Sequence, residues 1–222
     1  MFFHWLEKNP FYFASGISIV ISFAGLLEIV PNFAEAARPL IDLKPRTVLQ
    51  IAGKNVYMKD NCISCHSQMI RPFKSETDRY GDYSLSGEYV YDRPFLWGSK
   101  RTGPDLHRVG NYRTTEWHEN HMWNPPAIVP GSIMPAYKHH FTNLADIETA
   151  YAEVVTVKTA FSTPYGPEFK GTRAAWNAYR PTVIEEAKLI VADMKNKDVK
   201  EAVARGEVPE VVALIAYLNS LK

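Results

Sequence analysis

From Phe11 to Val30 the chain reads "FYFASGISIVISFAGLLEIV", twenty residues in which only Glu28 is charged. At about 1.5 Å per helical residue such a run spans about 30 Å, the thickness of a bilayer's hydrocarbon core. Asn9-Pro10 predicts the helix start, with Asn as cap and Pro at the first position, and Pro31 predicts its end. Beyond residue 46 the pattern changes to apolar positions three and four apart, the spacing of amphipathic helices. Thr47-Val48-Leu49-Gln50 reads as a capping box and predicts a helix to about Asp60. In "TNLADIETAYAEVVTVK", Leu144, Ile147, Tyr151, Val154 and Val155 are in phase. In "PTVIEEAKLIVADMK" the in-phase set is Val183, Ile184, Ala187, Ile190, Val191 and Met194. Asp198 to Glu201 opens a short helix ending near Gly206, and Pro209-Glu210 opens a last one with Val211, Leu214, Ile215 and Leu218 on one face. A shorter helix is expected at "TTEWHENHMW". Alternating strand patterns and internal repeats are absent, so the expected class is mainly α.

The apolar segment has two readings. Ala34-Glu35-Ala36 is like a signal-peptide cleavage site. The run is longer than a usual signal core, so an uncleaved anchor over residues 1–34 is expected, followed by one domain over residues 35–222. Ser15, Ser18, Ser22 and Gly25 put small residues on one face of this helix. Such a face lets membrane helices approach closely, or is merely tolerated. Lys8 on one side and Arg38, Lys44 and Arg46 on the other give little orientation signal.

Composition narrows the remainder. A net charge of +1 offers no basic surface for nucleic acid, and 46% hydrophobic residues suit a sizeable core. Aromatic residues reach 13% and there are fifteen prolines, hence many loops. Two cysteines cannot make a disulfide framework.

Both cysteines lie in "NCISCH", residues 61–66. Cys62-Ile63-Ser64-Cys65-His66 has the spacing of covalent haem c attachment. Two thiols add to the haem vinyl groups, and the two residues between them turn both thiols to one porphyrin edge. The adjacent His66 reaches the iron as proximal ligand. A zinc site would need more ligands, and a thioredoxin-like pair would want a βαβ context. Haem c is attached outside the cytoplasm, which places the soluble part in the periplasm and the N-terminus in the cytoplasm.

A mono-haem carrier fills both axial positions, and a thioether raises its potential. Met1 is at the far end of the anchor, Met58 and Met69 are close to His66 in sequence, and Met122 and Met194 fall in helices. Met134, in the loop "PGSIMPAY", is the expected sixth ligand. His107, His118, His121, His139 and His140 are rivals, each expected at a surface or interface. In "TGPDLHRVG" the carbonyl of Pro104 is placed to accept the second N–H of His66, orienting the imidazole.

Together these segments resemble the membrane-anchored mono-haem subunit of a cbb(3)-type cytochrome c oxidase. The resemblance rests on the anchor, "DNCISCHSQMIRPF", "YDRPFLWGSKRTGPDLHRVG" and "VPGSIMPAY". It implies a class I cytochrome c-like haem domain with long loop insertions. There the first and last helices cross beside the haem, with Gly53 and Tyr217 at the crossing; alternatively Gly53 is a tolerated helix glycine costing about 1 kcal/mol. It implies a non-catalytic role in a proton-pumping terminal oxidase of the bacterial inner membrane. Electrons would come from a di-haem cytochrome c subunit or soluble donor and pass to a catalytic subunit with b-type haem and copper. Ser99 and its neighbours would approach a metal or haem propionate of that subunit. Tyr80, Tyr83, Tyr89, Tyr91, Phe95 and Trp97, interleaved with Arg79, Asp92 and Arg93, lie in a stretch from Arg71 to Arg101 expected to lack structure of its own. They suit an interface or packing over the haem equally. Residues 161–181 carry no assigned role. The rival functions are the mono-haem subunit of a membrane nitric oxide reductase, a stand-alone anchored shuttle, and a haem-based sensor or assembly module.

Overall fold

The computed structural model describes residues 2–34 and 39–222. Met1, Glu35 and Ala36 of the cleavage-like pattern, and Arg38 lie outside the described residues. The chain divides into two compact units, Met1–Pro39 and Leu40–Lys222.

The first unit holds α1 (Phe2–Lys8) and α2 (Pro10–Ala34). The Asn9 side chain does not cap α2. Its Nδ2 donates to the Trp5 carbonyl at 2.7 Å and so closes α1. Pro31 does not stop α2 either, which continues to Ala34. A proline in the last turn forfeits only its own bond to the carbonyl four residues back, and membrane helices tolerate that loss. The stretch Pro10–Pro31 has a mean hydropathy of 2.0 and none of its most apolar window is buried, which fits membrane anchoring. A Cβ at Gly25 would meet nothing within 4 Å.

The second unit is helical, and among its described residues the sole strand-like pairing is an isolated bridge between Leu144 and Pro209. Its elements are α3 (Val48–Lys59), α4 (Lys74–Tyr80), α5 (Thr115–Trp123), α6 (Pro125–Ile128), α7 (Ile147–Phe161), α8 (Arg173–Ala192), α9 (Lys197–Ala204) and α10 (Glu210–Asn219). Thr47 and Gln50 form the reciprocal capping box that starts α3. Every residue of α10 from Val211 to Leu218 is at most 3% exposed. This helix is the centre of the core, and α3 packs across it. The crossing falls at Gly53, where a Cβ would sit 1.9 Å from the Ala213 carbonyl oxygen and 2.8 Å from the Tyr217 Cβ. Glycine is required there. On the far side of α3 lies α7, while α8 and α5 pack on α10 and α9 packs on α8.

Four boundaries differ from the sequence reading. Leu144 is 54% exposed and precedes α7, because the Asp146 side chain accepts from the Thr149 N–H and starts the helix there. The helix expected from Pro181 begins at Arg173, capped by Thr172, with Pro181 inside it. Trp176 is buried on the same face as Val183, Ile184, Ala187 and Val191, and this burial outweighs the bond the proline removes. The cap of α9 is Asn196, not Asp198. The Arg71–Arg101 stretch has structure of its own in α4 and a 3-10 turn at Ser86–Tyr89.

The segment 161–181 also acquires a structural part. Phe169, Trp176 and Tyr179 surround Tyr151 of α7 with ring centroids 5.3 to 5.7 Å away. Tyr165 packs on Phe169 and donates to the Arg46 carbonyl at 2.9 Å.

Candidate haem site

Asn61 adopts a left-handed conformation (φ 54°) that turns the chain sharply after α3. The next residues coil into a 3-10 turn, Cys62–Ser64, whose first carbonyl accepts both the Cys65 N–H (3.1 Å) and the His66 N–H (2.9 Å). Both thiols are free; Cys62 is partly buried and Cys65 exposed. Burial, then the neighbouring Asp60 carboxylate, pushes the Cys62 thiol up to about 12. It is therefore a neutral thiol.

His66 Nδ1 lies 2.8 Å from the Pro104 carbonyl oxygen. A carbonyl only accepts, so this nitrogen carries the proton and Nε2 keeps its lone pair. Burial holds the imidazole below its ordinary pKa against the pull of that carbonyl, so it is neutral at pH 7. Gly103 lies against the ring: a Cβ there would come 2.3 Å from His66 Cε1. The Gly103 N–H also donates to the Cys65 carbonyl at 2.9 Å.

A polar network locks the segment after His66 to the segment that holds Pro104. Asp105, 1% exposed, accepts from Ser67 Oγ (2.6 Å), the Met69 N–H (2.9 Å) and the His107 N–H (2.8 Å). Arg101 donates to Ser67 Oγ (2.6 Å), the Met69 carbonyl (2.7 Å) and Glu76 (2.8 Å). The Arg101 guanidinium lowers the Glu76 carboxyl to about 2, despite its burial. Gln68 is the second tie. Tyr217 donates to its Oε1 at 2.8 Å, Tyr89 donates to its carbonyl at 2.8 Å, and its N–H donates to the Trp97 carbonyl at 3.0 Å. Gly98 (φ 76°) lies so close that a Cβ would be 2.9 Å from the Ser67 Cα. The sequence reading does not single out Ser67, Gln68, Gly98, Arg101, Gly103 or Asp105. The one local signal is the pair of glycines in "WGSKRTG", each set against the residues that follow the cysteines.

Met134 is partly buried against the core. Its loop is shaped by Gly131 (φ 78°) and by bonds from the Ser132 N–H to the Val129 carbonyl and the Met134 N–H to Ser132 Oγ. The Tyr137 N–H ties the end of the loop to the Met122 carbonyl of α5. Met122 and Met194 belong to the core at 8% and 2% exposure. Of the five rival histidines only His139 is exposed; the surface expectation fails for His107, His118, His121 and His140, all buried. His107 is engaged by Ser84, Tyr89 and Glu88, and His139 and His140 by Asp60. Tyr89 is buried, whereas Phe95 and Trp97 stack at 4.8 Å and remain 45% and 40% exposed. The aromatic stretch thus supplies both core and surface.

The donor set fits a haem c. Two free thiols share one turn, a neutral histidine keeps one ring nitrogen unbonded, and Ile63, Leu106, Met134 and Tyr137 form a partly exposed apolar margin to the core. This defines a mono-haem c-type cytochrome, an electron carrier with a helical fold and an apolar N-terminal helix. The family of cytochrome c oxidase mono-haem subunits, FixO, matches residues 3–222, and the chain belongs to it. It is the electron-transfer subunit of a cbb(3)-type oxidase and carries one covalently bound haem c. No curated protein matches the chain.

Proposed function

We propose that this chain passes single electrons from a di-haem cytochrome c subunit or soluble donor to the haem b and copper subunit of a proton-pumping oxidase, without catalysing oxygen reduction itself. The anchor, residues 1–34, would lie in the bacterial inner membrane with its N-terminus cytoplasmic. Residues 35–222 would form the periplasmic domain. The bound haem c supplies the one-electron redox couple. Cys62 and Cys65 would hold it covalently, and His66 Nε2 and Met134 Sδ would be the axial donors. Pro104 orients His66 by fixing its tautomer, and the added negative character on the imidazole makes it a better donor. Gly103 and the Arg101–Asp105 network keep that carbonyl in position.

The observation that carries this reading is the 2.8 Å contact between His66 Nδ1 and the Pro104 carbonyl, beside two free thiols in one turn. The stacked Phe95–Trp97 face, with Arg93 over Phe95 at 5.5 Å, supports a contact surface for the catalytic subunit, and Ser99 lies in the same exposed stretch. The test is purification of the complex from native membranes through a tag on this chain. Haem b and copper in fixed ratio to haem c are expected. Haem c alone would overturn the assignment of the partner.

A further inference from the structure

Asp60, His139 and His140 form a cluster that electron transfer does not use. Asp60 follows α3 directly, and the two histidines sit in the 3-10 turn Lys138–Phe141, after the Met134 loop. Asp60 Oδ2 lies 2.9 Å from His139 Nε2 and 2.9 Å from His140 Nε2. The three donor atoms all lie within 4.8 Å of one another.

The contacts of His140 put it in an unusual setting. Its Nδ1 is 2.9 Å from Glu210 Oε2, which is itself held by Lys59 on its other oxygen. That contact puts the proton on Nδ1 and leaves a lone pair on Nε2. The ring is 0% exposed, and Nε2 has no hydrogen-bond partner although a carboxylate oxygen stands beside it. A lone pair facing a carboxylate is repulsive unless something positive lies between them. A histidine whose other nitrogen donates to a carboxylate is the standard arrangement of a metal ligand. Tyr137 stacks on the ring at 5.3 Å and holds its plane.

We propose that His139 Nε2, His140 Nε2 and Asp60 Oδ2 bind one divalent transition-metal ion, with zinc as the best match and a water in the fourth position. Two imidazoles and a carboxylate suit zinc, and tetrahedral ligands at about 2.0 Å stand about 3.3 Å apart. The 2.9 Å contacts need to open by only a few tenths of an ångström. His139 is the entry side. It is half exposed and can move its proton to Nδ1, which solvent accepts. The ion would join the segment before Cys62 to the segment after Met134, tying together the two stretches that flank the haem site. Binding of the ion itself does not depend on the haem assignment.

The experiment uses the full haem-loaded chain in detergent, stripped with chelator and titrated with zinc by calorimetry. One zinc per chain is expected, with a rise in Tm as zinc is added. His139→Ala, a change at a half-exposed side chain, should weaken binding at least tenfold and remove the Tm rise while leaving the Soret spectrum unchanged. Asp60→Asn should do the same. No stoichiometric zinc binding by the native chain overturns the proposal. So does zinc binding that persists undiminished in His139→Ala, since the ion would then sit elsewhere.

Discussion

Replacing Gly53 by alanine tests the crossing of α3 and α10 by sign as well as size. Gly53 lies in the interior of α3, so helix propensity alone makes Gly53→Ala stabilising by about 1 kcal/mol. The packing gives the opposite sign. The new Cβ would be 1.9 Å from the Ala213 carbonyl oxygen and 2.5 Å from its carbon, both backbone atoms that no rotamer change can move. Ordinary contact begins near 3.4 Å, so the helices must part by about 1.5 Å. They have no free side to part into, because Val211 to Leu218 are at most 3% exposed. Overpacking of this kind costs about 3 kcal/mol, the upper part of the usual range. Net of propensity, the variant should lose about 2 kcal/mol, a fall in Tm of about 4–8 °C for a domain of this size.

The assay is thermal unfolding of the haem-loaded chain in detergent, followed by circular dichroism in the Soret and far-ultraviolet bands. The displacement should also reach the haem site, since Tyr217 of α10 donates to Gln68, two residues from His66. A Soret change is therefore expected before unfolding begins. A Tm equal to or above that of the native chain would refute the reasoning, because propensity would then have won and the close approach would carry no constraint.

Three further outcomes are expected. Met134→His should retain covalent haem but abolish the sulfur-to-iron charge-transfer band and lower the midpoint potential by about a few tenths of a volt, within the range axial ligands span; an unchanged band would point to another ligand, His121 first, whose Nδ1 is buried without a partner. Arg101→Ala should cost about 3 kcal/mol in denaturant unfolding, because it strips a cation from the buried Asp105 and Glu76. His118 is 1% exposed, and burial lowers its pKa from 6.5 to about 4. The unfolded chain binds this proton between those values and the folded chain does not, so stability should fall by up to about 3 kcal/mol as pH drops from 6.5 to 4. His118→Leu should flatten that slope in urea titrations at several pH values.

What was legible in the sequence has a common physical character. The Thr47 capping box, the opening of α10 at Pro209 and the Cys62–His66 turn are each decided by residues within one turn of one another. Their chemistry can be read from a window of six. The misread boundaries are places where a distant partner overrides the local signal. Pro181 reads as a start, yet α8 extends eight residues before it because Trp176 is buried against the Tyr151 ring of α7. Asn196 outcompetes Asp198 as cap because Glu119 of α5 accepts from the Lys195 and Asn196 N–H groups, both at 2.7 Å, and fixes the approach to α9.

The same reasoning explains which part of the haem site stayed hidden. A buried charge is tolerable only with its partners, and those partners come from elsewhere in the chain. Lys54 is 2% exposed inside α3, and it is neutralised by Asp92, which Arg46 also grips at 3.0 and 3.1 Å. Burial lowers the Lys54 pKa, and Asp92 opposes that shift. Arg101 and Asp105 follow the same logic around Ser67. Both clusters fasten segments around His66: the first ties the segment from Asp92 to Pro94 to α3, the second ties the Pro104 turn to the segment after the cysteines. An iron ligand held by one carbonyl is only as well oriented as that carbonyl. The rigidity of His66 therefore rests on buried ion pairs whose members are separated by tens of residues, and no local pattern announces them.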